Sequence, residues 1–344
     1  MEALTPALLH QNASVVISDE SGVGEARRVA SALCDAAGFD ATRRGKLALV
    51  VTEAASNVIY HAKGGEILLR RVFEDGREGV EMLAIDRGPG MRNIAQSSVD
   101  GYSTRGTAGT GLGSIARNSN EFDIFSAPDR GTVLLARVWN GAEPGKPGPT
   151  RWGAVCVAMS GEEVCGDGWA SKSDGARTKI VLLDGLGHGQ GAADATLAAL
   201  RSFNANPSLG PNDILAPLHE ALRPTRGAAA AVVSLDAGTQ QLRFVGVGNC
   251  SASIHPGPGA RQTGLASQNG TLGVRLPKTN ELSYAWPADC LLIMHTDGLS
   301  TRWNLDDYPG LFRRHPTVIA GLLYRDFSRN RDDVTVLAFT SRSA

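Results

Sequence analysis

Residues 181–193 read VLLDGLGHGQGAA. An apolar run ends in Asp184, and glycines follow at 185, 187, 189 and 191. A glycine loop behind a strand serves either an anion or a cation, and the sign of the leading charge separates the two. Asp184 would repel a phosphate. A carboxylate at a strand end suits a divalent cation, which takes hard oxygen ligands. Matching acids occur elsewhere: Asp167 in VCGDGWA, Asp297 in LLIMHTDGLS, and Asp332 with Asp333 in NRDDVTVLAF. One Asp-Gly is an ordinary turn signal, and for Asp167 alone that plain reading is strong. It weakens when every site abuts an apolar strand, because clustered acids repel one another unless a cation compensates them. A second glycine stretch, GTAGTGLGSIA at 106–116, opens a helix, and helix N-terminal amides bind phosphate.

The 344 residues suffice for two domains. Hydrophobic residues at 42% and charged residues at 20% fit a soluble globular chain. A net charge of -1 argues against a nucleic-acid or anionic-membrane partner. No apolar run reaches the ~20 residues of a membrane span, and MEALTPALLHQNAS lacks the form of a secretion signal. Five scattered cysteines without a CxxC pair predict reduced thiols and a cytoplasmic location. NGAEPGKPGPT at 140–150 reads as a linker between a first domain (1–139) and a second (151–344).

The first half predicts a strand at 14–18, a helix starting near Ser21 with Val29, Leu33 and Ala37 on one face, and a helix over 42–61. Strands follow at 66–73 and 79–86, then a helix near 113–120 and two strands around the turn PDRG. This is an α+β arrangement, one mixed sheet covered by helices. On the second helix Glu53, Asn57 and His61 share a face, while Leu47, Val50, Val51, Ala54 and Val58 form another. Alone, the polar face reads as solvated. The second half predicts strands at 153–160 and 178–184, helices at 192–205 and 211–222, and then mostly strands. Those elements form stacked β-sheets flanked by helices.

Four ordered pieces of the first half, ExxxNxxxHA (Glu53, Asn57, His61, Ala62), DxGPGM (Asp86, Gly88, Pro89, Gly90, Met91), GTGLG (Gly109, Gly111, Gly113) and the closing GT (Gly131, Thr132), resemble the GHKL ATPase fold. The resemblance covers about residues 10–139, in the small serine-kinase branch of RsbT- and RsbW-like anti-sigma regulators, and GYSTRGTAGTGLG is similar to the RsbT type. It implies an α/β sandwich that binds ATP with Mg²⁺. In it Asn57 would hold the Mg²⁺ and Glu53 would act as general base toward a hydroxyl. Asp86 would accept a hydrogen bond from the adenine amino group. Gly88 and Gly90 would let the backbone approach the nucleotide, with Gly109, Gly111, Gly113 and Thr132 completing the ATP site. His61 is read as structural.

The set GD…DGLGHG…TDGL…DDVT in the second half, with GVGN at 246–249, resembles the metal-dependent serine/threonine phosphatase (PPM) family in its bacterial SpoIIE/RsbX branch, over about 152–340. The implied fold is a β-sandwich flanked by helices. By that resemblance Asp167, Asp184, Asp297, Asp332 and the Gly185 carbonyl would hold two Mn²⁺ or Mg²⁺ ions. The ions would lower the pKa of a water that attacks phosphorus. Asp333 stands behind them, and His188 is read as structural. The eukaryotic relatives hold phosphate with an arginine, for which Arg151 and Arg177 are the candidates here.

The two resemblances together imply a bifunctional regulator acting on a STAS-domain partner, an anti-sigma antagonist or stressosome protein. One half would phosphorylate it and the other would remove the phosphate. The alternative makes the first half a nucleotide-binding module without kinase turnover, which sequesters a sigma factor or controls a phosphatase. Neither reading involves nucleic acid or a membrane.

Overall fold

The computed structural model describes residues 10–74, 76–94, 111–141, 150–175 and 177–341. The chain divides into two compact units, residues 12–146 and residues 147–344 with the first 11. The first unit contains β1 (Ala13–Ile17), α1 (Glu20–Ala36), α2 (Ala41–Asn57), a π-helical turn (Val58–Ala62), β2 (Gly65–Glu74), β3 (Arg77–Asp86), α3 (Gly111–Asn118), β4 (Glu121–Ser126) and β5 (Thr132–Asn140). The caps explain the helix starts. Asp19 accepts from the Ser21 amide at 2.8 Å, so the cap of α1 lies two residues before the serine expected near its start. Asp40 accepts from the Arg43 amide at 2.8 Å to start α2.

Its sheet runs β1-β2-β3-β5-β4. Every neighbouring pair is antiparallel, which corrects the expected mixed sheet. The short turns that close the β2–β3 and β4–β5 hairpins can join only antiparallel strands. One face (Ile67, Leu69, Val80, Met82, Leu134, Ala136) packs with Leu47, Val50, Val51 and Ala54 of α2 and Ala26, Ala30 and Cys34 of α1. The stripe on α1 is thus centred on Ala26, Ala30 and Cys34, with Val29 and Leu33 at its margin. Small residues there let two helices lie close on one sheet.

The opposite face of the same sheet carries a row of alternating charge. Register places Arg70 opposite Glu81, Glu81 opposite Arg137, and Arg137 opposite Glu121, across four adjacent strands. Arg70 Nε lies 2.6 Å from Glu81 Oε1, Arg137 Nη2 lies 2.6 Å from Glu81 Oε2, and Arg137 Nη1 lies 3.2 Å from Glu121 Oε2. Arg70, Glu81 and Arg137 are all fully buried. Burial alone would push the Glu81 carboxyl up, but the two guanidinium groups outweigh it and hold the carboxyl below its usual range.

The second unit contains β6 (Thr150–Val157), β7 (Asp167–Ser173), β8 (Arg177–Gly185), α4 (Gln190–Ala205), α5 (Leu215–Leu222), β9 (Ala228–Asp236), β10 (Gln241–Val247), β11 (Ser251–His255), β12 (Thr263–Leu265), β13 (Leu282–Ala285), β14 (Leu291–His295), α6 (Pro316–Phe327) and β15 (Val334–Ser341). Two antiparallel five-stranded sheets, β13-β10-β9-β8-β7 and β12-β11-β14-β15-β6, face each other. Trp169, Ile180, Leu182, Val233, Phe244, Leu292, Met294 and Phe339 fill the space between them. The outer face of the first sheet (Val181, Leu183, Ala230, Val232) buries against Leu200 and Phe203 of α4 and Leu218 and Leu222 of α5. α6 lies along β6 and β15 of the second sheet. Its first turn comes so close that a methyl group at Gly153 would stand 1.9 Å from the Thr317 amide.

Three elements escape the sequence reading, the short β12 and two longer ones. β7 (DGWASKS) has too little apolar alternation to be read as a strand. α6 (PTVIAGLLYRDF) is buried over nearly every residue from Pro316 to Leu323, so no polar face marks it as a helix. α5 also starts at Leu215, after a turn, where the pattern suggested Pro211.

Glu81 neutralises two buried arginines at once. Glu81→Gln is expected to destabilise the chain by about 3–5 kcal/mol, because it leaves uncompensated buried charge. Replacing the trio together, Arg70→Met, Glu81→Leu and Arg137→Met, should recover most of that loss. Urea unfolding of the full chain checks both, and equal stability of Glu81→Gln and the wild type would refute the assignment.

Candidate functional site

In the first unit, Glu53 and Asn57 sit one turn apart on α2, half-buried, facing the first residue of α3. A methyl group built on Gly111 would stand 3.2 Å from Asn57 Oδ1 and 3.5 Å from Glu53 Oε2. The fold thus brings a carboxylate and an amide oxygen to the first described residue of α3, as the ATP reading requires. Neither Glu53 nor Asn57 makes a hydrogen bond or ion pair among the described residues. Directly after Asn57 the helix widens into the π-helical turn Val58–Ala62, a distortion often found at functional sites. His61 is exposed at its end.

Asp86 ends β3. Its Oδ1 accepts from the amides of Gly88 at 2.8 Å and Thr132 at 3.2 Å, so two backbone groups set its orientation. Thr132 also places its hydroxyl 3.0 Å from Ser126 Oγ. The glycines of DRGPG have a role of their own in the protein's packing. A methyl group at Gly88 would stand 2.7 Å from Ala62, and one at Gly90 (φ 65°) would stand 1.9 Å from the Ala127 carbonyl oxygen. Gly113 is buried inside α3. Gly109 lies outside the described residues.

In the second unit the register decides the site. Asp167, the first residue of β7, pairs directly with Asp184 on β8. Their side chains therefore leave one face, with Cβ atoms about 4.5–5.5 Å apart. On the facing sheet, Asp297 follows β14 by two residues, and Asp332 and Asp333 precede its partner β15. All these acids gather at one end of the sandwich. Burial raises the Asp167 carboxyl well above its usual value, and the charge of Asp184 adds to this. Asp184 is pushed up to about 7 by burial, then by Asp297 and Asp332. Among the described residues no three His, Cys, Asp or Glu side chains form a finished cage for an ion. The donor set nevertheless fits a cation, since Asp184 Oδ2 is buried without a hydrogen-bond partner.

Three neighbours hold these acids in place, of which the sequence reading named Asp333 and the GVGN stretch ending at Asn249 but not Thr296. Thr296 donates its hydroxyl to Asp167 Oδ2 at 2.7 Å and accepts from the Thr335 amide at 2.9 Å, tying one sheet to the other. Asn249, at the end of GVGN, donates to Asp297 Oδ2 at 2.6 Å. Asp333 accepts from the Met159 and Gly166 amides at 2.7 and 2.8 Å, which braces the chain ahead of Asp167. The Gly185 amide donates to the Gly166 carbonyl at 3.2 Å. His188 is exposed and pairs with Glu162 at 2.6 Å. The position of Thr296 immediately before Asp297 was the one signal available for it.

The two arginines proposed for phosphate do not reach the acids. Arg177 starts β8, seven residues from Asp184, a span of roughly 23 Å at the rise of a strand. It pairs there with Asp236 at 3.0 Å. Arg151 lies opposite Thr340, at the far end of β15 from Asp333.

Comparison with known proteins separates the halves in the same way. Residues 17–138 match the histidine kinase-like ATPase domain, and residues 174–342 match the stage II sporulation protein E (SpoIIE) family. The second match begins after Asp167, so the place of that residue rests on its register with Asp184. The chain is 29% identical over 131 residues to the serine/threonine-protein kinase RsbT of Bacillus subtilis, covering 38% of this chain and 98% of RsbT. It is 26% identical over 180 residues to the phosphoserine phosphatase RsbX of the same organism, covering 52% of this chain and 87% of RsbX. A solved chain described under "The bacterial stressosome: a modular system that has been adapted to control secondary messenger signaling" superposes with a TM-score of 0.51 at 26% identity, over 55% of this chain and 98% of that one. No helix among the described residues is long and apolar enough to cross a membrane. One polypeptide here joins a histidine kinase-like ATPase domain homologous to the RsbT kinase and a SpoIIE domain of the PPM phosphatase type homologous to RsbX.

Proposed function

We propose that the chain is a two-way regulator of one phosphorylated protein. The second unit removes phosphate from phosphoserine or phosphothreonine, and the first transfers phosphate from ATP to serine. The proposed target is a STAS-domain protein of a partner-switching pathway, a substrate class that rests on the likeness to RsbT, RsbX and the stressosome chain.

One observation carries the phosphatase reading: Asp167, buried, faces Asp184, partly buried, whose Oδ2 atom is itself buried and unpartnered. Buried acids in that arrangement need compensating positive charge. Asp167, Asp184, Asp297 and Asp332 would hold two Mn²⁺ or Mg²⁺ ions, with the Gly185 carbonyl as a further ligand. Such ions supply a water of lowered pKa and polarise a phosphoryl oxygen. The chain's own residues do the positioning. Thr296 orients Asp167, Asn249 orients Asp297, and Asp333 fixes Gly166 ahead of Asp167.

The kinase reading is supported by the approach of Glu53 and Asn57 to the start of α3. Asn57 would bind Mg²⁺ and Glu53 would take the proton from the attacking serine hydroxyl. Asp86, held by two amides, would select adenine.

Three outcomes are expected. The chain should release phosphate from p-nitrophenyl phosphate and a phosphoserine peptide only with Mn²⁺ or Mg²⁺. Asp184→Asn should lower kcat/KM at least about 100-fold, beyond the 10–100-fold typical of outer-layer partners. Full activity of a folded Asp184→Asn would overturn the metal assignment.

With labelled ATP and a STAS-domain protein, the Asp184→Asn chain should transfer phosphate to serine, and the added change Glu53→Gln should stop it. Tight ATP binding without transfer would leave the first unit as a nucleotide-binding regulator.

The third outcome concerns pH. The Asp184 carboxyl stands at about 7 in the folded chain against an ordinary 3.8, so it takes up a proton on folding. Its contribution to stability is present below pH 3.8 and is lost as pH rises toward 7. In EDTA, the Tm advantage of Asp184→Asn over the wild type should grow between about pH 4 and 7. A difference that does not change with pH would contradict the burial of this charge.

A further inference from the structure

The glycine alternation of residues 185–191 has a physical cause in what lies against each position. A methyl group at Gly189 would stand 2.6 Å from Glu162 Oε2, and Glu162 pairs with His188. Gly187 and Gly191 face Arg226 instead. A methyl group at Gly191 would stand 2.7 Å from the Arg226 guanidinium carbon, and one at Gly187 would stand 3.3 Å from its Nη1. The loop is thus cut away on one side so that a guanidinium lies flat against it.

Arg226 sits between α5 and β9, immediately before Gly227. The Gly227 carbonyl accepts from the Leu186 amide at 3.0 Å, so the segment carrying Arg226 is fastened to the loop two residues past Asp184. Gly187 borders the acids themselves. A methyl group at Gly166, the residue before Asp167, would meet both Asp333 Oδ2 at 2.8 Å and the Gly187 carbonyl oxygen at 3.5 Å. Other arginines of the second unit have acidic partners: Arg223 pairs with Glu220, Arg177 with Asp236 and Arg243 with Glu281. Arg226 is exposed and makes no hydrogen bond or ion pair among the described residues.

A guanidinium held at the edge of an acid cluster without an anion of its own is matched in charge and shape to a phosphoryl group, which accepts two parallel N–H bonds. We propose that Arg226 binds the phosphoryl oxygens of the substrate, the task for which Arg151 and Arg177 lie too far away. The inference rests on the phosphatase reading of the second unit. It assigns that reading a substrate-binding residue on the α5–β9 connection, outside all the acid motifs.

The test compares Arg226→Met, which keeps the packing stem, with Arg226→Lys and with Arg329→Met as a control for general surface charge. The full chain is used, with p-nitrophenyl phosphate as substrate and inorganic phosphate as inhibitor and as ligand in calorimetry. Arg226→Met should raise KM and weaken phosphate binding by at least about tenfold, the factor that corresponds to about 1.4 kcal/mol. Arg226→Lys should fall between it and the wild type. Tm and the Mn²⁺ midpoint of activation should stay unchanged. The proposal is overturned if Arg226→Met binds phosphate as the wild type does, or if the wild type binds none. It is overturned equally if the loss comes with a shifted Mn²⁺ midpoint or lowered Tm, which marks a prop for the loop, or if Arg329→Met reproduces it. Phosphate binding that depends on Arg226 in a chain without turnover would sink the phosphatase reading and leave the anion site standing.

Discussion

Like charges brought together at one end of the second unit set the terms for everything around them. Asp167 and Asp184 are adjacent because β7 and β8 pair in that register, and the facing sheet adds Asp297, Asp332 and Asp333. Water would screen such a group on a surface, but here Asp167 and Asp333 are buried and Asp184 nearly so. The fold resists the repulsion with donors. Thr296, Asn249 and two backbone amides each neutralise part of a carboxylate and prevent it from turning away. Those donors leave Asp184 Oδ2 unsatisfied, which is what makes the cluster receptive to a cation.

The first unit solves a related problem differently. Glu81 is as deeply buried as Asp167, yet its carboxyl is held below the usual range because an arginine flanks it on either neighbouring strand. Opposite charges placed in register make a closed structural row. Acids placed in register without basic partners leave buried charge that the ladder does not compensate. The chemistry of a buried carboxylate in this chain follows from the residue directly across the ladder.

Legibility from the sequence varied with the kind of signal. The α2 stripe and the strands VLLDG and CLLIMHTD have strong periodicity or long apolar runs, and they stand where the pattern put them. α6 was hidden because burial on nearly every side erases the amphipathic pattern, and β7 because DGWASKS carries few apolar residues. The antiparallel sheet of the first unit follows from its hairpin turns, where the sequence pattern alone was read as a mixed sheet. Gly88 and Gly90 also have a packing role that their sequence does not show, since a methyl group there would meet Ala62 and the Ala127 carbonyl.

Sequence alone separated the two glycine stretches, because a leading charge and the start of a helix are local properties. The leading Asp184 sets VLLDGLGHGQGAA against an anion, whereas GTAGTGLGSIA has no leading acid and reads as the start of a helix. What holds the acids and lies against the loop behind Asp184 was decided only by tertiary structure. Thr296, Asn249 and Arg226 lie 112, 65 and 42 residues from Asp184 along the chain. The stacking of the sheets and the α5–β9 connection bring Thr296 to Asp167, Asn249 to Asp297 and Arg226 to the loop after Asp184. Contacts at that separation follow from how the sheets stack, and no local pattern encodes them.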